Sequence, residues 1–143
     1  MNASLLEMMV SSVVVLPLLA SMIALGVRGH GVARDLVTLG TLAAVSVMSV
    51  LLLVDVEANG TVVVRVGEWA PGLGIVLVAD TFAVLVLAVA VVTIMLVEVF
   101  AIGQRRSRSG AHPTVFSPML LVLTGGVTLS ILTGDLFTLF VAF

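Results

Sequence analysis

Long apolar stretches separated by short polar ones set the rhythm of this chain. Four of them, residues 8–27, 36–54, 81–102 and 115–133, run with few interruptions. Each approaches the roughly 20 residues that a helix rising about 1.5 Å per residue needs to cross a hydrocarbon core near 30 Å thick. Carried out to their polar flanks they predict helices over about 5–27, 35–55, 80–103 and 113–133, with a fifth starting at about 135–143. Pro17 interrupts the first, which a helix inside a bundle accommodates by local re-pairing of backbone groups. Pro118 falls near the first turn of the fourth, where a missing N–H matters least.

The stretch between the second and third helices has a different pattern. Thr61 to Trp69 reads TVVVRVGEW, rich in β-branched residues, Ala70 to Gly72 supplies a turn, and LGIVLVA resumes extended character. A β-hairpin over about 60–79, lying at the membrane surface, is the expectation. Gly67, Pro71, Gly72 and Gly74 punctuate the segment too heavily for the alternative, a short re-entrant helix. Trp69 is then expected at headgroup depth.

Composition turns this pattern into a class. Hydrophobic residues make up 61% of the chain and charged residues 10%, with a mean hydropathy of +1.35, whereas a soluble domain carries roughly a quarter charged residues. The chain is an all-α polytopic membrane protein of four transmembrane helices plus the start of a fifth. A net charge of −2 without a basic cluster excludes a nucleic-acid footprint. The absence of cysteine excludes disulfides, thiolate metal sites and cysteine nucleophiles. No basic n-region or cleavage site precedes the first apolar run, which reads as a retained span.

Charge then orients the spans. Arg28, Arg34, Arg105, Arg106 and Arg108 fall in the loops on one side, and only Arg65 lies on the other. The bias of cytoplasmic loops toward bases puts that first side in the cytoplasm. Glu7, Asp55, Glu57, Glu68, Asp80 and Asp135 then lie outside, with the N-terminus and the hairpin.

Three ionisable residues are candidates for a proton pathway. Glu98 is an acid within the third span, by default a functional residue; the alternative is an interfacial carboxylate paired with Arg105 or Arg106. His112 is a histidine, a residue whose unperturbed pKa lies near neutrality, yet its place before Pro113 also suits an exposed helix entry. Asp135 follows Gly134 where the fourth span ends, and reads as an N-cap of the fifth helix or as a proton entry. Arg65 and Glu68 read as a surface pair of small energetic weight. Asn59-Gly60-Thr61 matches a glycosylation acceptor and, better, an Asn-Gly turn. Thr124-Gly125-Gly126 reads as close helix packing through small residues or as a flexible, cation-accessible break.

VGEWAPGLGIVLVAD (Val66 to Asp80), followed by HPTVFSPMLLVLTGGVTLSILTGDLFTLFVAF (His112 to Phe143), resembles the N-terminal portion of the D-type subunit of the Mrp-type multi-subunit sodium/proton antiporters. These features touch most of the last 80 residues, while residues 1–55 fit in hydrophobicity and spacing. The resemblance extends to the antiporter-like subunits of respiratory complex I and of membrane-bound hydrogenases. It implies a transporter subunit, not an enzyme, in a bacterial cytoplasmic membrane, exchanging external protons for cytoplasmic sodium without a cofactor. Its partners would be the other membrane subunits of the complex. It also implies that a proton-handling glutamate follows Phe143, so that residues 1–143 are expected to be the N-terminal part of a proton-translocating domain. Two other function classes stay open from the residues alone: a pumping subunit of a redox-driven complex, and a non-transporting scaffold.

Overall fold

A computed structural model of the chain describes residues 3–27, 31–66, 75–107 and 115–142. In chain order its elements are α1 (Ala3–Gly26), α2 (Gly31–Asn59), β1 (Val62–Val66), β2 (Ile75–Ala79), α3 (Thr81–Ser107), α4 (Phe116–Leu132) and α5 (Leu136–Ala142). The first four helices form a ring: α1 packs against α2 and α4, and α3 packs against the same two. α5 lies against α4.

Local chemistry sets the ends of these elements. α2 stops at Asn59 because Gly60 takes a φ of +92°, open to glycine at little cost, while its N–H closes onto the Val56 carbonyl at 2.9 Å. α3 starts under Asp80, whose carboxylate accepts from the Ala83 N–H at 2.6 Å, as an N-cap does. Pro118 sits in the first turn of α4, among N–H groups that have no intrahelical partner to lose. At the other end of α4, Thr133 turns extended, with φ −69° and ψ 132°.

The outward faces identify the surroundings. Ile23, Val54, Val89 and Phe100 are all more than half exposed on the flanks of their helices. A helix in water would carry polar residues there. α1, α2 and α3 are each long and apolar enough to cross a membrane, and α4, at 17 residues, is a shorter apolar helix within the same ring. Most hydroxyls inside the bundle bond back to their own helix, among them Thr38 to the Arg34 carbonyl at 2.9 Å and Thr124 to that of Leu120 at 2.7 Å. Such bonds satisfy a polar group where no water is present to do so.

The hairpin closes one end of the ring. β1 and β2 pair antiparallel with Val62 opposite Ala79 and Val64 opposite Leu77. Val64, Leu77 and Ala79 point inward, while Val63 and Arg65 stay exposed, the alternation expected of a sheet with one covered face; Ile75 shares the inward face but is exposed at the turn end of β2. The inward residues join Leu6, Val10, Leu52, Val84 and Leu132 in the larger core cluster. A smaller cluster of Ala20, Ala24, Leu42 and Leu121 lies toward the opposite end.

Several boundaries move from their sequence expectations. α2 starts at Gly31 and runs on to Asn59, beyond the expected 35–55 at both ends, so Glu57 as well as Asp55 belongs to its last turns. α3 continues to Ser107, past the apolar segment, which places Arg105 on the helix itself. α4 is shorter at both ends than the apolar run suggested. Apolarity marks where a helix meets hydrocarbon, not where its hydrogen bonding ends. The hairpin turn, with Trp69, Pro71 and Glu68, lies outside the described residues, as do His112 and Arg108.

Candidate functional site

Four residues far apart in the sequence meet at the end of the bundle opposite the hairpin. α2 begins there and brings Asp35, α3 ends there and brings Glu98 and Arg105, and α4 begins there and brings Ser117. Glu98 lies roughly 14 Å from the end of α3 at 1.5 Å per residue, and its side chain is fully buried. Its Oε1 accepts from Arg105 Nη2 at 2.9 Å and from Ser117 Oγ at 2.7 Å. The same Arg105 nitrogen reaches Asp35 Oδ1 at 3.2 Å, and Arg34 Nη2 stands 3.5 Å from that oxygen.

One guanidinium therefore spans two carboxylates carried by two helices. Glu98 and Arg105 are seven residues apart, two helical turns, so they share a face and the long arginine side chain folds back along it. Burying one carboxylate alone would carry a large desolvation penalty; two acids and two bases together leave the cluster neutral. Ser117 donates across to a carboxylate on another helix, whereas Ser46, which also reaches across, meets only the weakly accepting Met95 Sδ at 4.0 Å. Glu98 Oε2 and Arg105 Nε have no hydrogen-bond partner among the described residues. The cluster thus holds a fully buried carboxylate with one oxygen doubly bonded and one still able to accept.

Of the predicted candidates, Glu98 pairs with Arg105, the partner named for it in the interfacial alternative, but it does so fully buried. Asp135 sits at the other end of the bundle and caps α5. Its carboxylate accepts from the Phe137 N–H at 3.2 Å, the Thr138 N–H at 3.1 Å and the Thr138 hydroxyl at 3.0 Å. The two backbone N–H groups and then that hydroxyl hold its carboxyl below the usual 3.8, with burial opposing weakly. The structure does not bring Asp135 and Glu98 together.

Sequence reasoning missed Asp35, Arg34 and Ser117. Arg34 enters the sequence reading only as a base in a loop on the inner side, and Asp35 and Ser117 do not enter it. An acid–base pair at the beginning of one span facing an acid and a base in the last turns of another was the available signal. The close-packing reading of Thr124-Gly125-Gly126 has a direct structural counterpart, since a Cβ on Gly125 would fall 2.5 Å from Leu18 Cδ2 on α1. Among the described residues no group of acids and histidines is arranged to hold a metal ion.

No family model matches the chain. It is 33% identical over 138 residues to the D-type Na+/H+ antiporter subunit of Alkalihalophilus pseudofirmus, an alignment covering 93% of this chain and 27% of that protein. Its fold superimposes on a chain of the Mrp complex from Dietzia sp. DQ12-45-1b with a TM-score of 0.86 and 29% identity, covering 96% of this chain and 25% of that one. The archaeal membrane-bound sulfane sulfur reductase has a chain similar in fold alone, with a TM-score of 0.74 at 24% identity over 93% of this chain and 27% of that one. The chain spans 25% to 28% of the length of the curated relatives it matches. In sequence and in fold together, this multi-pass membrane chain is similar to a segment of the D-type subunit of the Mrp-type sodium/proton antiporters.

Proposed function

We propose that the chain is part of a subunit of a multi-subunit cation/proton antiporter that exchanges external protons for cytoplasmic sodium in a bacterial cytoplasmic membrane. The observation that carries this reading is the likeness to the Mrp complex over 96% of the chain. The ionic end faces the cytoplasm and the hairpin end the outside. The placement of Arg28, Arg34, Arg105, Arg106 and Arg108 in the sequence supports this orientation.

Within that reading Glu98 is a proton-handling group near the cytoplasmic face. Its full burial and its second, free-accepting oxygen support the role. A proton arriving on Glu98 removes the charge that Arg105 answers, and leaves that guanidinium to Asp35. Loss of the proton returns Arg105 to both acids. Asp135, held ionised at the external end, supplies a fixed negative charge at the side where protons enter. His112 remains a proposed relay on its titration range alone.

The test uses everted membrane vesicles from antiporter-deficient cells that express the whole complex. Respiration builds a pH gradient, and added sodium should dissipate it in proportion to subunit abundance. A gradient indifferent to sodium, with the complex present in the membrane, overturns the proposal. Asp135→Asn should lower sodium-dependent dissipation more than it lowers abundance; dissipation unchanged at equal abundance removes Asp135 from the route.

A further inference from the structure

We infer that the second hairpin strand sets the position of α5 and that Gly134 is the positioning residue through which it does so. Among its described residues α5 rests on α4, with Leu136, Phe137, Phe140 and Val141 exposed and Thr138 buried. Its most specific contacts lie at its start.

Its beginning is fastened to the hairpin by backbone. Thr133 and Leu77 form an antiparallel bridge, and the Gly134 N–H donates to the Val76 carbonyl at 2.8 Å. The link between α4 and α5 thus adds a third, one-bond edge to the two-stranded sheet. From there the geometry passes to α5 in two steps. Thr133 Oγ1 accepts from the Asp135 N–H at 3.3 Å, and the Asp135 carboxylate caps the first turn. β2 is in turn anchored by Leu77 and Ala79 in the larger core cluster.

Gly134 is where this contact admits no side chain. A Cβ there would stand 2.6 Å from Val78 Cγ2 and 3.6 Å from the Val76 carbonyl oxygen. Any other residue must push the junction off β2 or displace Val78. Thr133, Gly134 and Asp135 therefore divide the work: one pairs with the strand, one lets the backbones close, and one caps the helix.

The inference rests on the antiporter reading for its consequence on transport, and on geometry alone for its consequence on α5. The experiment reads both in the full complex. Residues 1–143 contain no cysteine, so in a complex whose other cysteines have been replaced Phe140→Cys provides a thiol on α5, and its maleimide labelling rate in membranes reports the helix's position. Gly134→Ala should change that rate and lower sodium-dependent dissipation roughly tenfold or more at normal abundance, since misplacing a group by about 1 Å can cost up to ~10²-fold. Val78→Ala alone should leave both near wild type, and the double variant Gly134→Ala/Val78→Ala should restore both to within about twofold, because a pair in contact couples. Gly134→Ala with an unchanged labelling rate, or a loss that Val78→Ala does not relieve, overturns the inference. Wild-type vesicles indifferent to sodium alongside a labelling rate that shifts and recovers would instead sink the antiporter reading and leave the positioning role standing. If Gly134→Ala fails to accumulate, recovery of abundance in the double variant decides the same point; failure of both variants to accumulate overturns it.

Discussion

The two ends of this bundle are held by opposite means. At the hairpin end Val64, Leu77 and Ala79 enter an apolar core, and the α4–α5 link is joined to β2 by backbone hydrogen bonding. At the other end a neutral set of charges, Asp35, Arg105, Glu98 and Arg34, ties three helices with Ser117 as an added donor. Backbone pairing and apolar burial answer weakly to pH or to ion binding. An ion cluster sharing one guanidinium between two carboxylates would answer to both in the proton-handling role proposed for Glu98. The difference places rigidity at one end and responsiveness at the other.

The sharpest way to break this contrast is to remove one member of the ion cluster. Glu98→Leu strands Arg105 against Asp35 and should destabilise the bundle by about 3–5 kcal/mol, the range for a buried pair that loses one partner. Thermal unfolding of the purified complex checks this. The double variant Glu98→Leu/Arg105→Met should recover most of the loss, because matched apolar replacement of a buried pair is often neutral. At the hairpin end the corresponding break is Leu77→Ala, which leaves a cavity in a core residue only 3% exposed. It should cost about 2–5 kcal/mol and leave the pH dependence of stability unaltered.

How legible were these two ends in the sequence? The hairpin end was written locally. The β-branched run Thr61 to Val66, the turn residues after it and the resumption at Ile75 lie within one short stretch, and the register needed only period-two alternation. The Asp135 cap was legible for the same reason, since a cap and its helix are neighbours. The ionic cluster joins positions 35, 98, 105 and 117 across three helices, and no local pattern states which faces meet. Glu98 drew attention as an acid within a span, and Arg105 or Arg106 as its partner, because they lie within a few residues along the chain. Asp35 and Ser117 did not, because their roles exist only once α2 and α4 are packed against α3. The C-terminal ends of α2 and α3 fall beyond the apolar segments for a related reason: hydrogen bonding continues past hydrocarbon, and in α2 it is the turn at Gly60 that decides the stop.

Smaller perturbations sharpen the same comparison. Ser117→Ala removes one of the two donors to Glu98 Oε1 without adding charge, and should cost about 1–3 kcal/mol, the range for a buried acceptor deprived of a bond. Unfolding of this variant should become more pH-dependent than wild type, whereas Leu77→Ala should not. Asp135→Ala removes an N-cap and should lower stability by less than the changes in the ionic cluster or the core. Because its partners hold the Asp135 carboxyl below 3.8, the cap's stabilisation is present at neutral pH and is lost only as acid titrates the folded carboxylate. The effect of Asp135→Ala on stability should accordingly be constant between about pH 6 and 9. A cost that varies across that interval would show that another group titrates with α5.

The responsive role of the ionic end is tested most directly by Glu98→Gln in everted vesicles of the full complex. Glutamine still accepts from Arg105 and Ser117 but exchanges no proton. The account predicts normal abundance with sodium-dependent dissipation of the pH gradient reduced roughly tenfold or more, the scale of a lost proton-transfer group. Wild-type dissipation in Glu98→Gln at equal abundance would contradict it, and would leave the cluster as a clamp between helices.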